Sequence, residues 1–175
     1  DAVMTYRLLV KEVAMRHGVY ATFMPKPVAN QNGSGMHLQL SLFRGESNAF
    51  HDPADELQLS PTARQYIAGL LRYAPELMLV TNQWVNSYKR LVPGTEAPMY
   101  VTWSPRNHSD LVRVPELKPG SADSSRIEYR VPDAAANPYL ACAAVLAAGL
   151  DGIEQNQPLP APVLSATDQL SPEEV

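Results

Sequence analysis

The sequence predicts an α+β fold in which helices flank a curved, mostly antiparallel β-sheet. Short stretches that alternate apolar and polar residues indicate strands, and longer stretches with apolar residues at helical spacing indicate helices. The two kinds of element do not alternate regularly along the chain, so a parallel sheet built from strand–helix–strand units is not expected. The 175 residues suit one domain or a large piece of a longer protein.

Three helices are predicted, and each has a recognisable boundary. The first occupies the opening stretch up to Gly18, because glycine is typical of a helix C-terminal cap. The second begins after Ser60, a capping residue followed by a proline, and Pro75 should bend or break it. The third begins after Asn137 and carries no charge before Asp151, which is typical of a core helix that is apolar on every side.

Five stretches are predicted to be strands, because they are short, rich in apolar residues and bounded by prolines, glycines or polar residues. They cover residues 19–27, 36–42, 99–104, 110–116 and 126–132. Between them, residues 44–59 are polar and are expected to form a surface loop, and residues 86–98 are expected to form an ordered loop.

Period-2 alternation places the polar side chains of three strands on the face opposite the apolar ones. That face would carry His37, Gln39, Ser41, Arg113, Arg126, Glu128 and Arg130. One interpretation is a solvated sheet face, which antiparallel sheets often have. The other is a binding site for an anionic ligand, because the set is poor in lysine and rich in arginine, which forms fork-shaped bonds to carboxylates and phosphates.

His37 and Glu128 on this face are candidates to share a divalent metal ion. The single cysteine, Cys142, is expected to be buried, and it excludes an internal disulfide and a cysteine-based zinc site. Imidazole and carboxylate ligands would suit Mg²⁺ or Mn²⁺ beside a phosphate. Taken alone, His37 is more simply explained as an ordinary hydrogen-bonded histidine, and the NGSG stretch at 32–35 is weak as a phosphate loop because it lacks the Walker spacing and lysine.

The charge and hydropathy patterns argue against two classes of partner. The net charge is −4 at pH 7 and the basic residues do not cluster, so no nucleic-acid-binding surface is indicated. The longest uncharged apolar run, residues 139–150, is too short to cross a bilayer, and no signal peptide is evident. A soluble cytoplasmic protein that binds neither nucleic acid nor membrane is therefore expected.

Four longer blocks resemble the catalytic domain of glutamine synthetases, in order and at suitable spacing. They are NGSGMHLQLSLF (32–43), YKRLVPGTEAP (88–98), WSPRNHSDLVRVP (103–115) and RIEYRVPDAAANPYLACAAVLAAGLDGIE (126–154). The resemblance implies that residues 1–155 form part of such a catalytic domain. Residues 156–175 would be a proline-rich polar tail that leads to a missing C-terminal segment.

The resemblance implies an ATP-dependent carboxylate–amine ligase. Enzymes of this family phosphorylate the γ-carboxylate of glutamate, and ammonia then displaces the phosphate, with two Mg²⁺ or Mn²⁺ ions in each site. They also assemble into ring-shaped homo-oligomers. Because the family's remaining metal-binding glutamates lie upstream of residue 1, the resemblance implies that this piece alone lacks ligase activity and binds metal poorly.

The resemblance also implies a role for individual residues. His37 and Glu128 would be metal ligands; Asn32, Gly33, Arg90 and Arg130 would bind the substrate; Ser41, Gln39, Arg113 and His108 would bind the nucleotide; Glu96, Arg113 and Arg130 would be catalytic. Without the resemblance, Glu96 is equally well explained as a surface loop residue and Arg90 as a loop arginine bonded to backbone carbonyls.

Three positions depart from the usual pattern of that family. Gln39 stands where most members have a second histidine, His108 where arginine is usual, and Thr95 where tyrosine is frequent. Glutamine cannot be charged, and a neutral histidine holds a phosphate less well than arginine does. Two alternatives therefore stay open: ligation of glutamate to another amine, such as a polyamine, ethanolamine or methylamine, or a catalytically silent relative with a structural or regulatory role.

Overall fold

The computed structural model describes residues 1–92, 95–105, 107–117 and 120–164, so the last part of the predicted tail, residues 165–175, lies outside the described residues. Within those ranges the elements are, in chain order, α1 (Ala2–Arg16), β1 (Leu38–Leu40), β2 (Phe43–Arg44), β3 (Ser47–Asn48), α2 (Pro61–Arg72), α3 (Ala74–Thr81), α4 (Val85–Arg90), β4 (Trp103–Ser104), β5 (Val112–Arg113), a 3₁₀ helix (Ala122–Ser124), β6 (Ile127–Tyr129) and α5 (Pro138–Glu154).

Four strands form a sheet in the order β1–β6–β5–β4, and β2 and β3 form a separate antiparallel hairpin. Strand β6 pairs antiparallel with β1 and with β5, while β5 and β4 are parallel. The predicted α+β fold with a mostly antiparallel sheet is therefore confirmed. Glu128 lies directly opposite Gln39 on one side and Arg113 on the other, so these three polar residues form a row across one face.

The other face of the sheet contributes to the hydrophobic core. Ile127 and Tyr129, which flank Glu128 in β6, are fully buried there together with Val112 of β5. Side chains of α2, α5 and the segment before α2 complete this core: Phe50, Leu59, Tyr66, Ile67, Leu70 and Val145. Alternation along β6 therefore separates a dry apolar layer from the polar row, as the period-2 pattern predicted.

Helices α2 and α5 approach closely because glycines line their contact. A Cβ atom on Gly149 would lie 2.1 Å from the Tyr66 ring, and one on Gly69 would lie 2.2 Å from the carbonyl oxygen of Ala148. The Tyr66 hydroxyl donates a hydrogen bond to the Val145 carbonyl at 3.2 Å. The helix pair that covers the sheet is thus held together by small residues at its crossing point.

The predicted helix boundaries are confirmed by their caps. The side chains of Ser60 and Asn137 accept hydrogen bonds from N–H groups in the first turns of α2 and α5. Gly18 follows α1 with a φ of +69°, which is the left-handed conformation of a glycine C-terminal cap. Pro75 lies where α2 has ended and α3 has begun, because its ring cannot continue the preceding helix.

Three local predictions are wrong. Residues 19–27 form no strand, since no described strand pairs with them. Residues 44–59 include part of the β2–β3 hairpin, and they bury Phe50 and Leu59 completely, so this segment is not only a surface loop. The predicted loop at 86–98 begins inside α4, whose first turn is stabilised because the Ser87 hydroxyl accepts a hydrogen bond from the Trp84 N–H at 3.3 Å.

Helix α5 is not buried on every side, although its composition predicted a core helix. One side packs on α2, and the other exposes Tyr139, Leu140, Leu146 and Leu150 by 40% or more. Cys142 lies on the exposed side, so the expectation that it is buried is also wrong. Composition indicates how apolar a helix is, but it does not specify which of its sides the described chain covers.

None of the helices in the described parts of the chain has the length and apolar character needed to span a membrane.

Replacing Gly149 by alanine should destabilise the protein, because the new methyl group would overlap the Tyr66 ring. We expect the free energy of unfolding to fall by about 1–3 kcal/mol, the usual cost of overpacking, in urea denaturation followed by circular dichroism. Ala147→Ser, on the exposed side of the same helix, is the control and should change this free energy by less than about 0.5 kcal/mol. Equal stabilities of Gly149→Ala and the wild type would contradict the close helix contact.

Candidate functional site

The carboxylate of Glu128 is the centre of the polar row. Its side chain is buried, with a residue exposure of 6%, and both of its oxygens are engaged. Nη1 of Arg113 and Nη1 of Arg130 each donate to Oε2 at 3.1 Å, while Oε1 lies 3.3 Å from Nδ1 of His37. Burial raises the pKa of Glu128, but the two guanidinium groups and His37 outweigh it and hold the pKa below its usual range. This face of the sheet is therefore not an ordinary solvated surface.

His37 is placed beside Glu128 by the extended segment that leads into β1. The pKa of His37 is lowered, first because the ring is partly buried and then because of the positive charges of Arg130 and Arg90; Glu128 acts in the opposite direction. The neutral imidazole is therefore favoured near neutral pH. A neutral imidazole has a free lone pair and can bind a metal ion.

The two side chains fit neighbouring positions of an octahedral metal ion. Adjacent ligands of an octahedral Mg²⁺ ion are roughly 3 Å apart, and Nδ1 of His37 and Oε1 of Glu128 are separated by 3.3 Å. Within the described parts of the chain, no group of three or more His, Cys, Asp or Glu residues could hold a metal ion. These residues therefore offer two ligands, and the others would have to come from water, a phosphate or other protein residues.

Arg130 connects the candidate metal ligands, His37 and Glu128, with the segment that carries Glu96. Its side chain is 3% exposed, and its Nη2 donates to the backbone carbonyl of Glu96 at 3.2 Å. Its Nη1 also lies 3.4 Å from Nδ1 of His37, and its buried Nε has no hydrogen-bond partner in the part of the chain that the structure describes. A buried donor without a partner is costly, so an acceptor supplied by a ligand would be favourable here.

Arg90, at the end of α4, lies on the other side of the same cluster. Its Nη1 donates to the Val131 carbonyl at 2.9 Å and its Nη2 to the Arg130 carbonyl at 3.2 Å. Burial lowers the pKa of Arg90. Arg90 is thus bonded to backbone carbonyls, as one of the two explanations held. It belongs to a helix rather than a loop, however, and it also lines a pocket.

A pocket of about 200 Å³ collects most of the predicted substrate-binding residues. Its lining is Asn32, Gly33, Gly35, His37, Arg90, Thr95, Glu96, Ala97 and Arg130. The Glu96 side chain is exposed at this pocket. A larger cavity of about 730 Å³ lies elsewhere, beside β4 and β5, and contains none of the polar cluster. We assign the candidate site to the smaller pocket, because it contains His37, Arg90, Glu96 and Arg130 together.

Gly35 is a residue of the site that the sequence did not identify. A Cβ atom at Gly35 would lie 2.6 Å from Nη2 of Arg90 and 3.0 Å from Nε2 of His37. Glycine therefore allows the guanidinium and the imidazole to approach each other over the backbone. The signal in the sequence was the pair of glycines two residues apart, but only the folded chain shows which side chains need the space.

The predicted nucleotide-binding residues are less closely grouped. Arg113 belongs to the Glu128 cluster, whereas Ser41 and His108 are exposed and do not line the small pocket. The Gln39 side-chain oxygen accepts a hydrogen bond from Nε of Arg126 at 2.6 Å. Gln39 is thus held at the edge of the polar row, next to Glu128 but without direct contact to His37 among the described hydrogen bonds.

Comparison with known proteins gives a consistent result. The family model for the glutamine synthetase catalytic domain matches residues 1–175. A protein named glutamine synthetase from Mycolicibacterium smegmatis is 58% identical over 155 residues, which are 89% of this chain and 35% of the relative. One from Staphylococcus epidermidis is 52% identical over 174 residues, which are 99% of this chain and 38% of the relative.

A solved structure agrees with the sequence relatives. The cryo-EM structure of Plasmodium falciparum glutamine synthetase is similar with a TM-score of 0.89 at 33% identity, over 94% of this chain and 32% of that chain. The chain therefore spans well under half the length of the proteins that it matches.

Glu128→Gln should lower the pKa of His37 further, because it removes the negative charge that favours the imidazolium form. Arg130→Gln should raise the same pKa, because it removes a nearby positive charge. An NMR titration of the imidazole C–H signals would measure both shifts. Glu154→Gln, in the last turn of α5, is the control and should leave the His37 pKa as it is in the wild type. A His37 pKa that responds to neither site substitution would show that the three side chains do not interact.

Proposed function

We propose, because this chain belongs to the glutamine synthetase family, that the whole protein ligates ammonia to the γ-carboxylate of glutamate using ATP. In this reaction a γ-carboxylate oxygen attacks the terminal phosphorus of ATP, the bond to ADP breaks, and γ-glutamyl phosphate forms. The nitrogen of ammonia then attacks the acyl carbon, inorganic phosphate leaves, and a proton is released. Two anions must meet before the first bond forms, so the site must offset their repulsion.

The observation that carries this proposal is that three guanidinium groups and two candidate metal ligands, His37 and Glu128, converge beside one small pocket. Arg113 and Arg130 contact Glu128 directly, and Arg90 and Arg130 both border the pocket. Guanidinium groups bind carboxylates and phosphates through parallel N–H bonds and stabilise charge in a transferring phosphoryl group. A site of this kind is suited to an acidic amino acid that reacts with a triphosphate.

The substrate would lie in the pocket of about 200 Å³. Asn32 and Gly33 would hold the amino-acid end of glutamate, and Arg90 would bind its α-carboxylate. Arg90 donates two of its five N–H groups to backbone carbonyls, which fixes the plane of the guanidinium while leaving donors for a carboxylate. Such a pre-oriented arginine binds its ligand at a lower entropic cost.

Arg113 and Arg130 would act on the phosphoryl group. Their guanidinium groups are oriented by the Glu128 carboxylate, so they need little rearrangement when charge moves from ATP to the acyl phosphate. Ser41, Gln39 and His108 would contact the nucleotide at the edge of the row. His37 and Glu128 would hold one of two Mg²⁺ or Mn²⁺ ions, and such an ion supplies positive charge that shields phosphate oxygens.

Glu96 would act at the entrance of the pocket. Its side chain is exposed and its backbone carbonyl accepts a hydrogen bond from Arg130. The carboxylate would therefore lie beside the reacting groups while open to solvent. In this position it would accept a proton from ammonium, because ammonia needs a free lone pair to attack the acyl phosphate. It would also help to close the site while the acyl phosphate exists.

One observation favours an alternative in which another amine replaces ammonia as the acceptor. The Gln39 side-chain oxygen accepts a hydrogen bond from Arg126, at the edge of the cluster, and His108 is exposed. Both positions differ from the usual family pattern, and in this alternative the acceptor would be a polyamine, ethanolamine or methylamine instead of ammonia. The chemistry of glutamate activation would stay the same, and a catalytically silent relative remains the alternative of another class.

The same proposal extends to the organisation of the whole protein. Residues 1–155 would be part of the catalytic domain, and residues 156–175 would lead into a further C-terminal segment. The whole protein would form a ring-shaped homo-oligomer in the cytoplasm. Its partners would be glutamate, ATP and an amine.

Phosphate release by the whole protein, with glutamate, ATP and either ammonium or a panel of amines, tests the proposal. We expect ammonium to give the highest kcat/KM, and Glu128→Ala to lower it at least about 100-fold because the phosphoryl-binding arginines lose their common anchor. Glu154→Ala is the matched surface control and should keep wild-type activity. A preference for another amine would support the alternative acceptor, and no release with any amine would support the silent relative. Full activity of Glu128→Ala would contradict the assigned site.

A further inference from the structure

The connection between the two parallel strands of the sheet is unusually short. Only residues 105–111, here called the connecting turn, separate β4 from β5, whereas parallel neighbours normally need a dozen residues or more. The pairing is nevertheless formed: Val112 N–H donates to the Thr102 carbonyl at 3.1 Å, and Val114 N–H donates to the Ser104 carbonyl at 2.9 Å. A connection this short needs contacts that hold its two ends together.

Asp110, at the end of the connecting turn, is a completely buried carboxylate. Its Oδ1 accepts a hydrogen bond from the Thr102 hydroxyl at 2.5 Å, and the Ser104 hydroxyl also bonds to this carboxylate. Ser104 is the last residue of β4, where the connecting turn starts, and Thr102 directly precedes that strand. Asp110 thus joins the end of the turn to its beginning through side chains rather than through the backbone ladder.

The environment of Asp110 is costly for a group that serves only to fill the core. Among the described residues, its Oδ2 is buried without a hydrogen-bond partner, and the carboxylate forms no ion pair within 4 Å. Burial raises its pKa, while the two hydroxyl groups and the charge of Arg130 act in the opposite direction. A buried polar atom without a partner costs free energy, so Asp110 calls for an explanation beyond core packing.

The C-terminal end of the connecting turn contacts the candidate site. Its last residue, Leu111, accepts a hydrogen bond from the backbone N–H of Arg130 at 3.0 Å, and Arg113 follows two residues later. The turn also carries His108, one of the residues assigned above to the nucleotide. A shift of the turn would therefore move a nucleotide contact and disturb the strand that presents Arg113.

We propose that Asp110 is a positioning residue for nucleotide binding, which fixes the connecting turn through its hydrogen bonds from the Thr102 and Ser104 hydroxyl groups. This inference rests on the proposed function, because it takes the turn to be part of the nucleotide site. Asp110 itself does not touch the reacting groups. Its effect passes through the position of His108 and the start of β5.

The proposal predicts a specific pattern among three variants of the whole protein. Asp110→Ala and Thr102→Val remove one partner each and should raise the KM for ATP about tenfold, with a much smaller change in the KM for glutamate. Asp110→Asn keeps an acceptor oxygen for the hydroxyl groups and should stay within about twofold of the wild type. Asp123→Ala, an exposed acid in the 3₁₀ helix, is the matched control and should behave as the wild type.

Hydrogen–deuterium exchange of the peptide that covers the connecting turn provides a readout that does not depend on activity. Exchange should accelerate in Asp110→Ala and Thr102→Val but not in Asp110→Asn. If Asp110→Ala fails to fold, Thr102→Val decides, because it preserves the carboxylate and the shape of the side chain.

Three results would overturn the proposal. One is a Thr102→Val variant with unchanged exchange in the turn, and another is faster exchange with an unchanged KM for ATP. Equal rises of the KM for ATP and for glutamate would also contradict it, because they would indicate a general loss of structure. A wild type that releases no phosphate with any amine would contradict the proposed function instead, and the exchange data would still show whether Asp110 anchors the turn.

Discussion

The buried Glu128 carboxylate, shared by two guanidinium groups and an imidazole, is the interaction on which the site depends. Arg90, Arg113 and Arg130 bring three positive charges to one end of a small sheet, and Glu128 is the carboxylate that directly contacts two of them. Buried charges of one sign are unfavourable unless they are compensated. Asp133 near Arg90 and Asp110 near Arg130 add further compensation. What the cluster offers an anionic ligand is a set of oriented guanidinium donors at the pocket, which is the property required of a site where a carboxylate meets a triphosphate.

The rest of the fold holds this arrangement in place. Antiparallel pairing of β6 with β1 and β5 sets Gln39, Glu128 and Arg113 in one row, and a shift by one residue would turn Glu128 into the core. The register is fixed from the other side, because Ile127 and Tyr129 are locked in a core that α2 and α5 cover. Close packing of that core thus orients β6 and thereby fixes the position of Glu128 in the site.

Several parts of this arrangement could be predicted from the sequence, because they depend on local patterns. Alternation in 126–132 identified the polar face, and the Ser60 and Asn137 caps located two helices. Gly35 and Asp110 could not be identified, because their importance depends on side chains that are distant in sequence. For the same reason, the sequence pattern did not reveal the parallel β4–β5 pair, the hairpin around residue 45 or the exposed side of α5.

The most direct test of the central claim is anomalous diffraction from crystals of the whole protein grown with Mn²⁺ and a non-hydrolysable ATP analogue. We expect an anomalous peak within coordination distance of both His37 and Glu128, with Arg113 or Arg130 in contact with a phosphate oxygen. A peak that lies away from this pair, or phosphates that contact neither arginine, would contradict it.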